Sequence, residues 1–406
     1  MTPRRMEELI AIYRDGLLKD TVPFWIKHGV DRKCGGFATY VDADGSRVSW
    51  DKAIWIQGRF TWLLARLYNE VEQRKEWLDL SRHGLEFILK HAFDADGRCF
   101  YSVTRDGRPL RKRRYLFSEQ FIIIALAEYA RATGDEKIRQ KAIDLYRRMI
   151  MYYRTPGLLP PKLIPATRQM KGHAMPMILL ATTQILRQVD DHPLYKEVVD
   201  QSIHEVLHHF VQRDRKVLLE NVAPDGKPMY DLPDGRIVNP GHAIETAWFL
   251  MEEGRVRGDR KLIAEAAQVM EWSLEIGWDK KFGGILYYVD IDGKPAEPYE
   301  HDMKLWWPHN EAIYATLLAW HLTGEAKHLA WHKRVHDWTY AHFPDKKNGE
   351  WFGYLHRDGT VSTPIKGNMW KGPFHLPRMQ LNCWKLLERV RAEKAGSGSR
   401  GRKIEP

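Results

Sequence analysis

The feature that most constrains this chain is a glycine-closed turn that returns along almost its whole length. Asp31-Arg-Lys-Cys-Gly-Gly-Phe-Ala-Thr-Tyr-Val-Asp-Ala-Asp-Gly45 reads as two short β-like runs around glycines, ending in an Asp-Gly turn. Variants return over 96–107, 279–293 and 348–359, with a weaker copy over 218–226. The closing glycines fall at 45, 107, 226, 293 and 359, so the gaps are 62, 119, 67 and 66 residues. The long gap is close to two periods. The copy it lacks would fall near 155–168, where Pro156, Pro160, Pro161 and Pro165 point to a degenerate loop. Six units of about sixty residues are the simplest account, and a period of that length decides the fold before any single element does.

Between the turns every segment has helical periodicity: 55–70, 76–91, 118–133, 136–152, 174–188, 243–255, 262–276, 311–322 and 377–391. Each unit supplies two helices, one markedly apolar, as at Phe121-Ile-Ile-Ile-Ala-Leu126, and one amphipathic. A helix that is apolar all round is buried, and an amphipathic one lies outside it. The expected fold is therefore all-α: an (α/α)6 barrel, a toroid of about twelve helices in two rings with short β-hairpins in the loops. An open α-solenoid of the same units is the rival, because periodicity does not decide closure. Residues 4–28 read as one amphipathic helix. Residues 1–391 form a single catalytic domain on this reading, and the Gly/Ser/basic stretch 392–406 is expected to be disordered.

Composition narrows the function. The net charge of +10 is dispersed, and its densest runs, 111–114 and 400–403, are not interleaved with aromatics as nucleic-acid motifs are. The first run is a candidate anion site, the second a solvated end; no nucleic-acid partner is expected. Cys34, Cys99 and Cys383 make neither a metal pattern nor a disulfide framework. No apolar h-region opens the chain and no run reaches the ~18 apolar residues of a membrane span, so a reduced, soluble, cytoplasmic protein is expected. The 16 Trp and 17 Tyr fit a cavity whose rings stack on sugar faces.

The polar residues near the start of each apolar helix share the phase of the repeat: Arg59, Glu119, His173, His242, Glu311 and His375. In Asn239-Pro-Gly-His-Ala-Ile-Glu-Thr-Ala-Trp-Phe249, Asn239 suits a cap, Pro240 the first helical position, and His242 and Glu245 share one face. In a closed toroid, residues in phase sit at one level around the central cavity, here walled by Trp55, Trp306, Trp307 and Trp370. Histidine is the side chain whose proton moves near neutral pH, so such a ring suits proton transfer on a small sugar. No HExxH or other close ligand spacing, glycine-rich phosphate loop or Gly-x-Ser-x-Gly elbow is present, and no metal is expected.

At these residues the chain resembles the N-acylglucosamine 2-epimerase family, from about residue 13 to 387. The resemblance is carried by Trp55-Ile-Gln-Gly-Arg59, Thr104-Arg-Asp-Gly-Arg-Pro109, Phe117-Ser-Glu119, Asn239-Pro-Gly-His-Ala-Ile-Glu245, Met303-Lys-Leu-Trp-Trp-Pro-His-Asn-Glu311, Glu350-Trp-Phe-Gly-Tyr-Leu355 and Lys371-Gly-Pro-Phe-His-Leu-Pro-Arg378. It implies an (α/α)6 barrel, often dimeric, that interconverts N-acetylglucosamine and N-acetylmannosamine by proton transfer at carbon 2 of the open sugar. It also implies that His242 and His375 are the catalytic histidines, with Arg59 and Glu311 as the essential arginine and glutamate. Glu245, His173, Glu119, Trp306 and Trp370 are the expected substrate-binding residues. No cofactor is required on this reading, and ATP enters only as an allosteric activator, as in some members. The alternatives are an aldose–ketose isomerase, or a cellobiose or mannose 2-epimerase on the same barrel. A glycan hydrolase or lyase using Glu245 and Glu311 as its carboxylate pair, or a non-catalytic binding protein, stands further off.

Overall fold

The computed structural model describes residues 1–112, 115–160 and 163–400, with backbone only from 396. In chain order its helices are α1 (Pro3–Asp15), α2 (Val22–Gly29), α3 (Ile54–Glu70), α4 (Lys75–His91), α5 (Phe117–Thr133), α6 (Glu136–Arg154), α7 (Ala174–Leu186) and α8 (Pro193–Glu205). A single turn, α9 (Pro233–Arg236), follows, then α10 (Pro240–Arg257), α11 (Arg260–Gly277), α12 (Trp306–Thr323), α13 (Ala326–His342) and α14 (His375–Arg400).

The apolar helices α3, α5, α7, α10, α12 and α14 form the inner ring, each packed on the next. α5 and α12 show why they lie inside: every residue from Ser118 to Ala130, and from Trp306 to Ala319, is buried. α4, α6, α8, α11 and α13 bury one face each against them, and α1 packs on α14 to complete the outer ring. The inner ring closes. Arg66 on α3 donates to Asn382 on α14 at 2.9 Å, and the Trp62 ring lies 5.3 Å from that of Phe374. The fold is the (α/α)6 toroid, not the open solenoid.

Short strands stitch neighbouring units at one end of the barrel. The strand that leads into an inner helix pairs with the hairpin of the next unit: Lys52–Ala53 with Ser102–Val103, Ile237–Val238 with Val289–Asp290, and Lys304–Leu305 with Tyr354–Leu355. Lys171–Gly172 pairs with Asn221–Val222 in the same way, and Val41 bridges to Gly367 across the closing seam. These ladders hold the inner-helix N-termini at one level. All five closing glycines are left-handed, with φ of +86°, +91°, +87°, +68° and +91°, where a Cβ adds strain. That requirement is why the repeat is visible in the sequence.

Three buried ion pairs recur in the same register: Lys52–Asp31 at 3.0 Å, Lys304–Asp279 at 3.0 Å and Lys366–Asp345 at 2.9 Å. Burial opposes the charge on Asp31 and Asp279, but Arg105 with Lys52, and Arg357 with Lys304, hold these carboxyls well below the usual range.

Two expectations at the ends change. The 4–28 helix is interrupted by a π-turn at Gly16–Thr21, just before Pro23, which has no N–H to continue the ladder. α14 continues past 391 to Arg400, through the good helix formers of 392–395. Residues 401–406, Arg113 and Arg114 of the basic run, and Pro161 of the degenerate loop lie outside the described residues. No described helix is long and apolar enough to cross a membrane.

Candidate active site

The start of α10 builds the first half of the site. The Asn239 side chain accepts the N–H of His242 at 3.0 Å, so the helix begins where Pro240 fits and His242 falls in its first turn. A Cβ on Gly241 would come within 2.7 Å of the Trp307 indole, so glycine lets that ring approach. The His242 imidazole lies 5.0 Å from the Trp307 ring, and that of His375, the first residue of α14, lies 5.6 Å from it. One indole therefore lies against both imidazoles.

Each imidazole turns its Nδ1 to a carboxylate. His242 Nδ1 is 3.1 Å from both oxygens of Glu220, which lies in the weak fourth hairpin. Burial opposes charge on His242, but the Glu220 carboxylate outweighs it and raises the imidazole pKa above its ordinary value. Glu220 itself, despite burial, is brought down to about 2 by His242 and His173.

His375 Nδ1 is 2.7 Å from Glu311 Oε1, yet its charge goes the other way. Burial pushes its pKa well below the ordinary value; Glu245 opposes this, and Arg378 and Arg59 add to it. Arg378 Nη2 donates to Glu311 Oε1 at 2.7 Å and to Glu245, and the Trp248 indole N–H donates to Glu311 Oε2 at 2.8 Å. The Glu311 charge is thus already neutralised when it meets the imidazole.

Arg59, on the first turns of α3, is buried among the rings of Trp55, Phe121 and Phe374, 4.1–4.9 Å from their centroids. It donates to the Trp370 carbonyl at 3.4 Å, and no carboxylate among the described residues pairs with it. Burial pulls it down to about 9, so it remains a cation at neutral pH. A guanidinium in an apolar wall, with Glu245 and Glu311 near it but not in direct contact, is suited to an oxygen that gains negative charge.

The structure brings His242, Glu245, Arg59, Glu311 and His375 together, and it separates others from the cavity. His173 is fully enclosed and bonds Thr246 Oγ1 through Nε2 at 2.9 Å, so it stands behind His242 rather than against a substrate. The Glu119 carboxylate accepts from Arg98 at 2.7 Å and from the Cys99 N–H at 3.0 Å, holding its own hairpin. Trp306 is buried beneath Tyr354 and His375, whereas Trp370 is 45% exposed beside Trp55. Sequence reasoning missed Glu220 and Arg378. Arg378 had a signal, since it follows His375 by three residues as Glu245 follows His242.

Glu245, Glu311 and His375 also form a cluster of potential metal-ligating atoms. The Arg378 Nη2 that donates to both carboxylates lies 3.4 Å from His375 Nδ1, so a guanidinium already takes the cation's place. The donor set does not fit a metal.

Three comparisons with known proteins give relatives of the chain. The family model for N-acylglucosamine 2-epimerase (GlcNAc 2-epimerase) matches residues 35–375. The N-acylglucosamine 2-epimerase of Mus musculus is 38% identical over 381 residues, covering 91% of this chain and 90% of that protein. That of Bos taurus is 36% identical over 396 residues, covering 95% and 93%. The structure of cellobiose 2-epimerase from Spirochaeta thermophila DSM 6192 superposes with a TM-score of 0.83 at 22% identity, covering 96% of this chain and 98% of that one.

Proposed function

The chain belongs to the N-acylglucosamine 2-epimerase family and is a sugar 2-epimerase; from that premise we propose that it interconverts N-acetylglucosamine and N-acetylmannosamine with His242 and His375 as its two proton carriers. The observation that carries this reading is the pair of imidazoles against one indole, each with Nδ1 on a carboxylate. With Nδ1–H donated to the carboxylate, Nε2 of each ring is left for chemistry.

In the ring-opened sugar the hydrogen on carbon 2 is α to an aldehyde and leaves as a proton. One histidine takes it from one face, and the other returns a proton to the opposite face. Each such group contributes about 10²–10⁴-fold. Burial favours the neutral form of His375 and Glu220 favours the protonated form of His242, which suits His375 as base and His242 as acid in one direction; the reverse direction uses the opposite arrangement. Arg59 stabilises the enediolate oxygen. Glu245 and Glu311 hold Arg378 and His375, and Trp370 and Trp55 offer ring faces to the sugar. The reaction requires no cofactor, any effect of ATP is allosteric, and the protein works as a homodimer in the cytoplasm.

Proton NMR in heavy water with N-acetylmannosamine, with and without ATP, tests the reading. N-acetylglucosamine carrying deuterium at carbon 2 is the expected product. Absence of exchange in both arms, with turnover of mannose or cellobiose instead, would overturn the N-acyl assignment.

A further inference from the structure

We propose that Glu220 and His173 are a positioning pair for His242, fixing which of its nitrogens faces the sugar and keeping it armed as the acid. The proposal rests on the two-histidine reading above. Glu220 is held by its backbone from both neighbouring segments: its N–H donates to the Ile237 carbonyl at 2.9 Å, and its carbonyl accepts from the His173 N–H at 2.9 Å. Its carboxylate lies between two imidazoles, 3.1 Å from His242 Nδ1 and 3.8 Å from His173 Nδ1.

The two rings are not equivalent. His173 Nε2 meets the Thr246 hydroxyl at 2.9 Å, one helical turn beyond His242 on α10. With that hydroxyl donating, the His173 proton sits on Nδ1, pointing at Glu220, where the nitrogen has no other partner. That N–H faces the Glu220 carboxylate 3.8 Å away, the acceptor that would satisfy it. Burial also keeps His173 neutral, since it pushes that imidazole down. Glu220 therefore has one partner that stays neutral and one that titrates, and its charge acts on His242. The other titratable groups near His242 are Glu245 on its own helix and His375 on α14, while Tyr288 from the next hairpin, whose phenol burial keeps protonated, lies near Glu220. Among the described residues, Glu220 is the group that bonds the His242 ring nitrogen.

The test is Glu220→Gln, read by the pH profile of carbon 2 exchange and by NMR titration of His242 in the free protein. An acid must hold its proton, so the rate falls as pH rises through the His242 pKa. Without the Glu220 charge this limb and the His242 titration both move to lower pH by about one unit or more. Glu220→Asp, which keeps the charge one methylene farther away, and His173→Gln move them in the same direction by less. A limb and a titration that stay in place in a folded Glu220→Gln protein overturn the proposal; if that variant does not fold, an unmoved Glu220→Asp does so. A wild-type protein that exchanges no sugar defeats the functional reading instead, and the His242 titration then still decides the role of Glu220.

Discussion

The two histidine stations have the same parts and opposite charges. In both, an imidazole in the first turn of an inner helix gives Nδ1 to a glutamate and lies against Trp307. They differ three residues on, where α10 carries Glu245 and α14 carries Arg378. Among the described residues no arginine or lysine pairs with Glu220, so its charge raises His242. Glu311 already accepts from Arg378 and Trp248, and His375 beside it is driven neutral. A His–Glu contact alone therefore does not set the charge of the ring: burial opposes charge at both, the carboxylates outweigh it at His242, and Arg378 and Arg59 add to it at His375. Two titrating groups pushed apart in this way supply an acid and a base at one pH.

Deleting either station is the largest change. His242→Asn and His375→Asn should each lower epimerisation on the order of 10²–10⁴-fold. The comparison sharpens in what survives. Each variant keeps one histidine on one face, so each should still exchange the carbon 2 hydrogen of one epimer, and the two variants should choose different epimers. NMR in heavy water, starting from either sugar, reads this directly. Two variants that both retain exchange of the same epimer would mean that the histidines do not address opposite faces.

Arg378→Met breaks the asymmetry itself. Its loss leaves Glu245 and Glu311 uncompensated, which should cost about 3–5 kcal/mol of stability, read as a fall in thermal midpoint. His375 then faces two bare carboxylates and its pKa rises, by about one to two units. Below the new value it is protonated and cannot accept, so the acid limb of the rate profile moves up by the same amount, and the rate lost below it recovers as pH rises. An acid limb that stays where it is would show that Arg378 does not keep His375 neutral.

The barrel was legible because the glycine turns cannot be built from other residues without strain, so the sequence repeats them even where little else recurs. Closure was not legible: it rests on contacts such as Arg66 with Asn382, which are 316 residues apart. Phase located the level of the site, hence His242, Arg59, Glu311 and His375, but phase does not give direction. Glu119 has the right level but turns to Arg98 and the Cys99 N–H of its own hairpin. Trp306 and Trp307 are neighbours on a helix, so they point about 100° apart and only the second meets both histidines. Glu220 lies in the weakest hairpin copy, outside the helix starts where phase looks, and its partner His242 is 22 residues away.

The smallest change tests whether the shared indole is neutral between the stations. Trp307 contacts both imidazoles at similar separations, 5.0 and 5.6 Å, and with similar tilts, 36° and 41°. It makes no charge of its own, so Trp307→Phe should weaken packing against both rings without favouring either. An aromatic contact of this kind is worth about 1 kcal/mol, or roughly a fivefold change in rate. Exchange measured from N-acetylmannosamine and from N-acetylglucosamine should therefore slow by the same factor, with both limbs of the pH profile unmoved. Unequal slowing, with one limb displaced, would show that the indole sets the charge at one station. The difference between the two histidines would then no longer belong to Glu220 and Arg378 alone.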